Sequence, residues 1–496
     1  MSNKPYIIAI DQGTSSTKTL AFDTSGKVVA KGAAKLDIRY EQNFVEQCPE
    51  EIYQSVLQAV EACRDDLVQQ GIHSNQIAAV GITNQRETFV LWDASGNVLY
   101  NAISWQCKRS SAICDRLKNS GKENLIKTKT GLPIDPYFSA TKLIWLVENV
   151  PAIAAELKGG NVFFGTVDTW ILYKLTAGQC YRTDHTNASR TMLFNIYELT
   201  WDEALLKELG LQGLRLPEVC SSSDKYALST FDGLFDEPLP IRAVIGDSQA
   251  AALGAGCFKR GEAKATLGTG SSIMMAVGQD LRYKGQDTVD AIYYSTEQGV
   301  VYAAEGIIVS CGATITWMRD QLRLFVEEKE LQQIAQEVPA NHGVTVIPAF
   351  SGMGTPYWKK DAKATITGLT FGSDRSHLIR AALESVCFQI KDVILATEAE
   401  HQLKMSQLMV NGGMSKNKFV VQFLADLLNK PVVCGAMADA SALGCARLAG
   451  IGVWGTSLEV VLPQNENNTV IFYPSSSQDA TQKSYKRWLD IVERFL

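Results

Sequence analysis

Residues 11–18 read DQGTSSTK and directly follow the apolar run YIIAI at residues 6–10, which predicts a β-strand. A second stretch of the same design, LGTGSS at residues 267–272, follows a shorter apolar run that begins at Ala263. In both stretches a glycine stands among hydroxyl side chains, so backbone N–H groups and O–H groups can converge on phosphate oxygens without a Cβ in the way. Two such loops, half a chain apart, predict a duplicated fold in which both halves contact the phosphates of a nucleotide.

The bulk composition indicates a globular protein of two domains, because 496 residues are too many for one hydrophobic core. The formal net charge is -6 and no long basic run occurs, which argues against nucleic-acid binding. No stretch of 18 apolar residues and no signal-peptide pattern is found, so we expect a cytoplasmic protein without membrane insertion. The 11 cysteines are scattered and form no Cys-x-x-Cys pair, which indicates free thiols packed in cores.

The predicted strands and helices follow a similar order in the two halves. Strands predicted at 6–10, 18–23 and 27–31 precede a helix at 49–70 and a strand at 77–82. In the second half, strands alternate with helices; the strands are predicted at 301–305, 344–350, 408–410 and 432–433, and the helices from residue 312, at 376–401, at 415–428 and at 439–450. This alternation predicts an α/β fold, and the order of the first half fits a ribonuclease H-like unit. We place the domain boundary between residues 252 and 253, with a hinge helix near 250–261.

Three loops are candidates for nucleotide binding. Lys18 adds a cation to the first loop, and Asp11 at a strand end can hold Mg²⁺ through water. A third loop, NGGMSKN at residues 411–417, lies between a predicted strand and a predicted helix, where backbone amides face a ligand at the helix N-terminus. The alternative for the first loop is an ordinary β-turn, and for Lys18 it is an exposed lysine on a strand. For the third loop it is a plain strand-to-helix connection with a serine cap.

Polar and aromatic residues at strand ends suggest a binding site for a neutral polyol. Arg86 and Glu87 follow the strand at 77–82, and Trp105 and Tyr137 lie beyond later strands. Arginine donates two parallel hydrogen bonds, glutamate accepts from hydroxyls, and an aromatic ring covers the C–H face of the ligand. The alternative is an exposed Arg86–Glu87 ion pair with both aromatic residues in the core.

Asp247 is the catalytic candidate, because it follows the apolar strand at 241–245 and begins a helix. An aspartate with a pKa of about 3.9 is ionised at neutral pH. In phosphoryl transfer, orienting the attacking hydroxyl matters more than the strength of the base. The alternative is a simple helix N-cap, the commonest role of aspartate at this position.

Longer stretches of the chain resemble the FGGY carbohydrate kinases of the actin-like ATPase superfamily. Two of them are similar to the family signatures: YFSATKLIWLVEN at 137–149, and GL at 368–369 with HLIRAALE at 377–384. Others resemble the glycerol kinases within the family: GITNQRET at 81–88, WQC at 105–107, GTVDTW at 165–170 and TNASRT at 186–191. The resemblance covers nearly the whole chain.

The resemblance implies two ribonuclease H-like domains that flank a deep catalytic cleft, with ATP-dependent phosphorylation of glycerol to sn-glycerol 3-phosphate. It implies ATP and Mg²⁺ as cofactors, with the metal at Asp11, and a homodimer or homotetramer. Asp247 would be catalytic, and the polyol would lie on Arg86, Glu87, Trp105, Tyr137, Asp247 and Ser248. The nucleotide would contact Thr14, Ser15, Ser16, Lys18, Thr269, Gly312, Thr316, Gly413 and Asn417.

Three positions depart from the family pattern. Ser248 stands where glutamine is usual, Ser272 where an aromatic residue is frequent, and Lys18 where many members have arginine. Lysine keeps the charge but loses the bidentate geometry. The two serines predict a more polar pocket, and the loss of one aromatic wall forfeits about 1–3 kcal/mol of binding. A kinase for another polyol or ketose, such as erythritol or xylulose, is therefore the alternative.

Two other classes of protein are compatible with the nucleotide loops alone. An actin-like ATPase that moves or holds proteins would use the same loops, but it would not need the polyol residues. A catalytically silent sensor would bind sugar and nucleotide without Asp11 and Asp247.

Overall fold

The computed structural model describes residues 4–281, 286–435, 439–455, 457–458, 461–462, 469–475 and 478–495. The chain forms two compact units that are discontinuous in sequence. The first unit comprises residues 1–258, 290–302 and 439–465, and the second comprises 259–289, 303–438 and 466–496. The predicted α/β class with two domains is confirmed. The boundary at residue 252 stays a prediction, and two later segments cluster with the first unit.

The main sheet of the first unit is built around three parallel strands. Ile77–Asn84 lies in the middle, between Tyr6–Gln12 and Leu239–Gly246. Antiparallel strands extend both sides of the sheet: Ser16–Asp23, Val28–Lys35 and Ser223–Ser229. Asn84 pairs in register with Gln12 on one side and with Gly246 on the other. The residues that follow these three strands therefore meet at one edge of the sheet.

Two helices of small residues pack against each other in the first unit. Asp247–Gly254 and Ala440–Gly450 approach so closely that a Cβ at Gly254 would collide with the carbonyl of Ala440, and one at Gly444 with that of Ala250. Backbone contact of this kind needs glycine at both points. The helix that begins with Asp247 is thus held by a segment about 190 residues further along the chain.

The first unit also contains a second six-stranded sheet and two short strand pairs. The order of that sheet is Leu214–Arg215, Val162–Thr166, Phe89–Trp92, Val98–Ile103, Phe44–Gln47 and Arg39–Glu41. The short pairs are Arg182–Asp184 with Glu218–Cys220, and Phe194–Asn195 with Thr200–Trp201. The other helical segments of this unit are Pro49–Gln69, Ser74–Gln76, Ser111–Asn119, Glu123–Thr130, Ser139–Asn149, Pro151–Lys158, Val167–Leu175, His185–Ala188 and Glu203–Glu208.

The second unit repeats the arrangement of the first. Glu262–Leu267 is antiparallel to Ser271–Gly278 and parallel to Gln407–Asn411, which is followed in the sheet by Val432–Gly435 and Thr469–Phe472. The strands Val289–Thr296 and Gly299–Ile308 contain two of the five points at which the chain passes from one unit to the other. The short strand Thr345–Ile347 pairs with Thr365–Thr367. The helical segments are Gly312–Asp320, Glu328–Glu330, Leu331–Glu337, Arg375–Glu400, Gly413–Lys416, Lys418–Leu428 and Gln478–Phe495.

Most predicted elements occur with shifted ends. The predicted strand at 344–350 is shorter, at Thr345–Ile347, and the predicted helix at 415–428 starts at Lys418 after a short 3-10 turn. The sequence patterns did not predict the helix Gln478–Phe495 or the strand Ser271–Gly278. Among the helices in the described part of the chain, none combines the length and the apolar character needed to cross a membrane.

Candidate functional site

The first hairpin loop, residues 13–15, connects the strands Tyr6–Gln12 and Ser16–Asp23. The Gly13 N–H donates to the Ser16 carbonyl at 3.0 Å, which closes the turn. Two side chains from elsewhere in the first unit hold Thr14: Gln47 Nε2 donates to its carbonyl at 2.8 Å, and Trp105 Nε1 donates to its hydroxyl at 3.0 Å. Trp105, predicted to contact the polyol, is therefore hydrogen-bonded to Thr14, predicted to contact the phosphates.

Three carboxylates and one ammonium group lie next to this loop. The pKa of Asp11 is raised to about 7; burial is the largest cause, the carboxylates of Asp247 and Asp439 also raise it, and Lys18 lowers it. Lys18 Nζ is 3.0 Å from Asp439 Oδ1. Sequence reasoning missed Asp439. The residues around it predict only the start of a helix and give no sign of a contact with Lys18, 421 residues earlier.

The chemistry around Asp11 fits a divalent cation. A half-buried carboxylate with a raised pKa and two carboxylate neighbours has more negative charge nearby than Lys18 can balance. Among the residues that the structure describes, no three His, Cys, Asp or Glu side chains form a group able to hold a metal ion. A cation here would take its remaining ligands from water and phosphate oxygens, as Mg²⁺ commonly does.

Arg86 and Glu87 are buried at the end of the central strand, with 5 % and 1 % of their surface exposed. Arg86 Nε lies 3.4 Å from Asp247 Oδ1, and Glu87 Oε1 accepts from Arg190 Nε at 2.6 Å. The alternative of an exposed ion pair is therefore wrong. Arg190 lies in the family-like stretch at 186–191, but the sequence alone assigned it no role.

Asp247 is the first residue of its helix, and Gly246 occupies the N-cap position. The alternative role as an N-cap is therefore wrong. The Asp247 side chain remains 37 % exposed, so a ligand can reach it. Its Oδ1 accepts from the Ser248 N–H at 2.6 Å and lies 3.3 Å from the Ser248 hydroxyl. Ser248, predicted to contact the polyol, thus contacts the catalytic candidate directly.

The predicted aromatic wall is present in the first unit. Trp105 and Tyr137 are half-buried, and their ring centroids lie 5.6 Å apart in an edge-to-face arrangement. The guanidinium carbon of Arg190 lies 5.1 Å from the ring centroid of Phe138 and 5.9 Å from that of Tyr137. Because neither Trp105 nor Tyr137 is fully buried, the alternative of two core residues is wrong.

The second hairpin loop, residues 268–270, is held by backbone hydrogen bonds. The Gly268 carbonyl accepts from the Gly312 N–H at 2.8 Å, and the Thr269 carbonyl accepts from the Ala313 N–H at 3.0 Å. A Cβ at Gly312 would lie 2.7 Å from the Gly268 carbonyl oxygen. The N-terminus of the helix Gly312–Asp320, a favourable position for anions, is thus packed on the loop.

One pocket of about 600 Å³ collects the nucleotide residues predicted in the second unit. Thr269, Gly312, Thr316, Gly413 and Asn417 all line it. The pocket is also lined by Leu267, Gly268, Met414 and Lys416 of the two predicted loops. The lining residues that sequence reasoning missed are Ile315, Glu328, Lys329, Leu331, Gln332 and Leu383. The remaining predicted nucleotide residues, Thr14, Ser15, Ser16 and Lys18, belong to the first hairpin loop and the strand after it.

Asn417 and Ser272 have structural contacts of their own. Asn417 Oδ1 accepts from the Phe419 N–H at 3.0 Å, so the cap of the helix Lys418–Leu428 is an asparagine and the alternative of a serine cap is wrong. The Ser272 hydroxyl donates to Glu305 Oε1 at 3.0 Å, and Glu305 is only 2 % exposed. A buried carboxylate therefore accepts a hydrogen bond from Ser272, one of the positions predicted to depart from the family pattern.

Comparisons with known proteins agree with this geometry. The N-terminal and C-terminal domains of the FGGY family of carbohydrate kinases match residues 6–254 and 263–453. The chain is 40% identical over 498 residues to the glycerol kinase of Halothermothrix orenii, covering 100% of this chain and 99% of that protein. It is 42% identical over 493 residues to the glycerol kinase of Caldanaerobacter subterraneus, covering 99% and 98%.

A solved structure extends the comparison to three dimensions. The crystal structure of Plasmodium falciparum glycerol kinase with ADP has a TM-score of 0.91 and 31% sequence identity, and the match covers 99% of this chain and 98% of that one. These matches span both units and include the loops described above. The chain belongs to the FGGY family of carbohydrate kinases.

Proposed function

We propose that this chain is an ATP-dependent glycerol kinase, which transfers the γ-phosphate of ATP to a terminal hydroxyl of glycerol and yields sn-glycerol 3-phosphate. Full-length identity of about 40% to several glycerol kinases supports this function. Membership of a carbohydrate kinase family favours an enzyme over an ATPase that moves proteins and over a silent sensor.

The observation that carries the proposal is the position of Asp247. Its accessible carboxylate lies 3.4 Å from the buried guanidinium of Arg86, which follows the neighbouring strand of the same sheet. Glu87 follows Arg86, and Arg190, its partner, also lies beside Tyr137. The group offers donors, acceptors and an aromatic face, as a small polyol requires.

In the proposed mechanism, Asp247 accepts a hydrogen bond from the attacking hydroxyl of glycerol and takes its proton as the new bond forms. Arg86 and Glu87 bind the other hydroxyls and hold the reacting one in line. Orientation of this kind supplies much of the rate enhancement in phosphoryl transfer. When bound at Asp11, Mg²⁺ would neutralise charge on the phosphates.

The predicted nucleotide residues are divided between the two units. We assign the adenosine to the second-unit pocket, with Gly413 and Asn417 on its wall and Thr269, Gly312 and Thr316 nearer the phosphates. Thr14, Ser15, Ser16 and Lys18 would contact phosphate oxygens. Backbone N–H groups and one ammonium group suit phosphates, because they stabilise charge without reorganising during the reaction.

A second candidate substrate is a longer polyol or a ketose, such as erythritol or xylulose. The observation that favours it is the pair of small polar residues, Ser248 and Ser272, whose hydroxyls lie beside carboxylates. Additional hydroxyls of a larger substrate could bind where an aromatic ring would exclude them.

We also propose a cytoplasmic homodimer or homotetramer. ATP is an intracellular substrate, and all 11 cysteines are free thiols, nine of them buried. Light scattering of the purified protein would distinguish a monomer from either assembly.

The decisive experiment is a coupled ADP-release assay with glycerol, erythritol, dihydroxyacetone, xylulose and ribulose as substrates. We expect the highest kcat/KM with glycerol. A higher kcat/KM with erythritol or xylulose would show that this compound, and not glycerol, is the preferred substrate. No turnover with any of the five compounds would overturn the proposal.

A further inference from the structure

We infer that residues 184–190, which we call the support segment, position the substrate residues of the first unit and divide that task among three side chains. Thr186 supports the strand end before Asp247, Asn187 supports the strand end before Arg86, and Arg190 supports Glu87 and Tyr137. The inference rests on the proposed function, because that function assigns the roles of the supported residues. None of the three supporting side chains belongs to the predicted catalytic or binding set.

The support segment is organised by the buried carboxylate of Asp184. It accepts five hydrogen bonds: from the N–H and hydroxyl of Thr186, from the N–H and side-chain amide of Asn187, and from the Ser222 hydroxyl. Asp184, Thr186 and Asn187 are completely buried. A carboxylate with this many donors fixes the rotamers around it, which is what a supporting element requires.

Thr186 connects the Asp184 carboxylate to the strand Leu239–Gly246, which directly precedes Asp247. Its hydroxyl donates to Asp184 Oδ1 at 2.8 Å and accepts from the Gly246 N–H at 2.9 Å. Gly246 is the last residue of its strand and directly precedes Asp247. One threonine hydroxyl therefore links the buried Asp184 carboxylate to the backbone residue that directly precedes Asp247.

Asn187 makes the matching connection to the neighbouring strand. Its side-chain amide and that of Asn84 exchange two hydrogen bonds, at 3.0 and 3.1 Å. Asn84 is the last residue of the strand that precedes Arg86, and it pairs in register with Gly246. Both strand ends are thus tied to the same segment.

Arg190 acts on different residues. Its Nε donates to Glu87 Oε1 at 2.6 Å, and its guanidinium lies beside the rings of Phe138 and Tyr137. Glu87 has a φ of 63°, a conformation that non-glycine residues rarely adopt and that surrounding contacts must hold in place. Arg190 should therefore affect polyol binding, whereas Thr186 should affect the chemical step.

The test compares Thr186→Val, Thr186→Ser and Arg190→Lys in the full-length protein. We expect Thr186→Val to lower kcat by about 10- to 100-fold, with little change in the KM for glycerol, because small displacements of a catalytic group have effects of this size. Thr186→Ser restores the hydroxyl and should recover most of kcat. Arg190→Lys should raise the KM for glycerol about tenfold and change kcat less.

Thr130→Val is the matched control. Thr130 is also completely buried, and its hydroxyl also donates once, to the Ile126 carbonyl, and accepts once, from the Leu132 N–H. It should lose a similar amount of thermal stability with unchanged kcat and KM. If Thr186→Val does not fold, Thr186→Ala and Thr130→Ala replace the valine pair.

Equal kinetic effects of the Thr186 and Thr130 variants would overturn the inference, as would loss of ADP affinity in parallel with kcat. So would a Thr186→Ser variant as slow as Thr186→Val. Wild-type turnover of glycerol is measured in the same series. A wild-type protein that is inactive on glycerol would contradict the proposed substrate, whereas an active wild type with an unimpaired Thr186→Val variant would contradict only the support segment.

Discussion

The two hairpin loops, residues 13–15 and residues 268–270, share a sequence pattern but are stabilised in different ways. The first is held mainly by side chains from distant parts of its unit, and three carboxylates and a lysine lie next to it. The second is held by the backbone of a helix N-terminus and lines a pocket whose charged residues, Glu328, Lys329 and Lys416, belong to other segments. The same turn pattern thus lies beside a cluster of charged side chains in one unit and beside a pocket in the other.

This difference has a physical reason. Residues that move a proton must have side chains, and their pKa values must respond to neighbouring charges. A loop that binds phosphate needs only N–H groups held in place, which the backbone provides without a titratable group. Variants of Asp247 and Arg86 should therefore change turnover or polyol binding, and variants of the second hairpin loop should change nucleotide affinity.

The largest expected effect is that of Asp247→Asn. Removing the proton acceptor while keeping the shape should lower kcat by about 1000-fold. The affinity for ADP, measured by calorimetry, should stay within about twofold, because the pocket that we assign to the adenosine lies in the second unit. Retention of more than a tenth of the wild-type rate would show that another group accepts the proton.

Arg86→Ala should have the next largest effect. Loss of a charged hydrogen-bond donor in a buried site costs about 1.5–3 kcal/mol, so we expect the KM for glycerol to rise by about 10- to 100-fold. Arg116→Ala is the control, because Arg116 forms an exposed ion pair with Glu148, and pairs of this kind contribute little. Steady-state kinetics that give both variants the same KM would place the polyol elsewhere.

Gly312→Ala tests the backbone-held loop. The added Cβ would lie 2.7 Å from the Gly268 carbonyl oxygen and should push the loop away from the helix N-terminus. We expect ADP affinity to fall about tenfold by calorimetry, as is typical when one positioned contact is lost. Gly435→Ala is the control, since a Cβ there meets no atom of the described residues within 4 Å. Equal ADP affinities of the two variants would show that the second hairpin loop does not contribute to nucleotide binding.

The smallest effect concerns the charge on Asp11. Its pKa is raised from 3.8 to about 7 in the folded protein, so the folded state binds more protons than the unfolded state between these values. This contribution to stability is present below pH 4 and is lost as the pH rises through 7. Without Mg²⁺, Asp11→Asn should therefore exceed the wild type in Tm by a few degrees at pH 7.5, and by less at pH 5.

Differential scanning calorimetry at the two pH values measures this difference directly. A variant whose Tm difference from the wild type is the same at pH 5 and pH 7.5 would mean that Asp11 does not titrate in this range. Addition of Mg²⁺ should raise the Tm of the wild type and leave that of Asp11→Asn nearly unchanged, because the variant has lost the carboxylate that would bind the cation.

Local patterns predicted the elements that carry the site and some of its residues. The strand before Asp11 and the helix that starts at residue 49 depend on apolar periodicity and on proline and glycine signals within a few residues. Thr269, Gly312 and Gly413, which the sequence predicts to contact the nucleotide, line one pocket, and their role stays a prediction.

Other features of the site could not be predicted locally. The Arg190–Glu87 pair joins residues 103 positions apart, and the contact between Lys18 and Asp439 joins residues 421 positions apart. The end positions of elements also differed, as in the helix that begins at Lys418, because the Asn417 side chain caps it. Contacts of this kind depend on the packed fold.

The amino-acid sequence by itself determined the α/β class, the duplicated loops and the family, because these depend on residue type and spacing along the chain. Only the tertiary structure decided that Asp11 is surrounded by carboxylates, that Glu87 pairs with Arg190, and that Thr186 holds the strand end before Asp247. Burial and long-range contact set the charge and position of a side chain, and neither property is a function of neighbouring residues in the sequence.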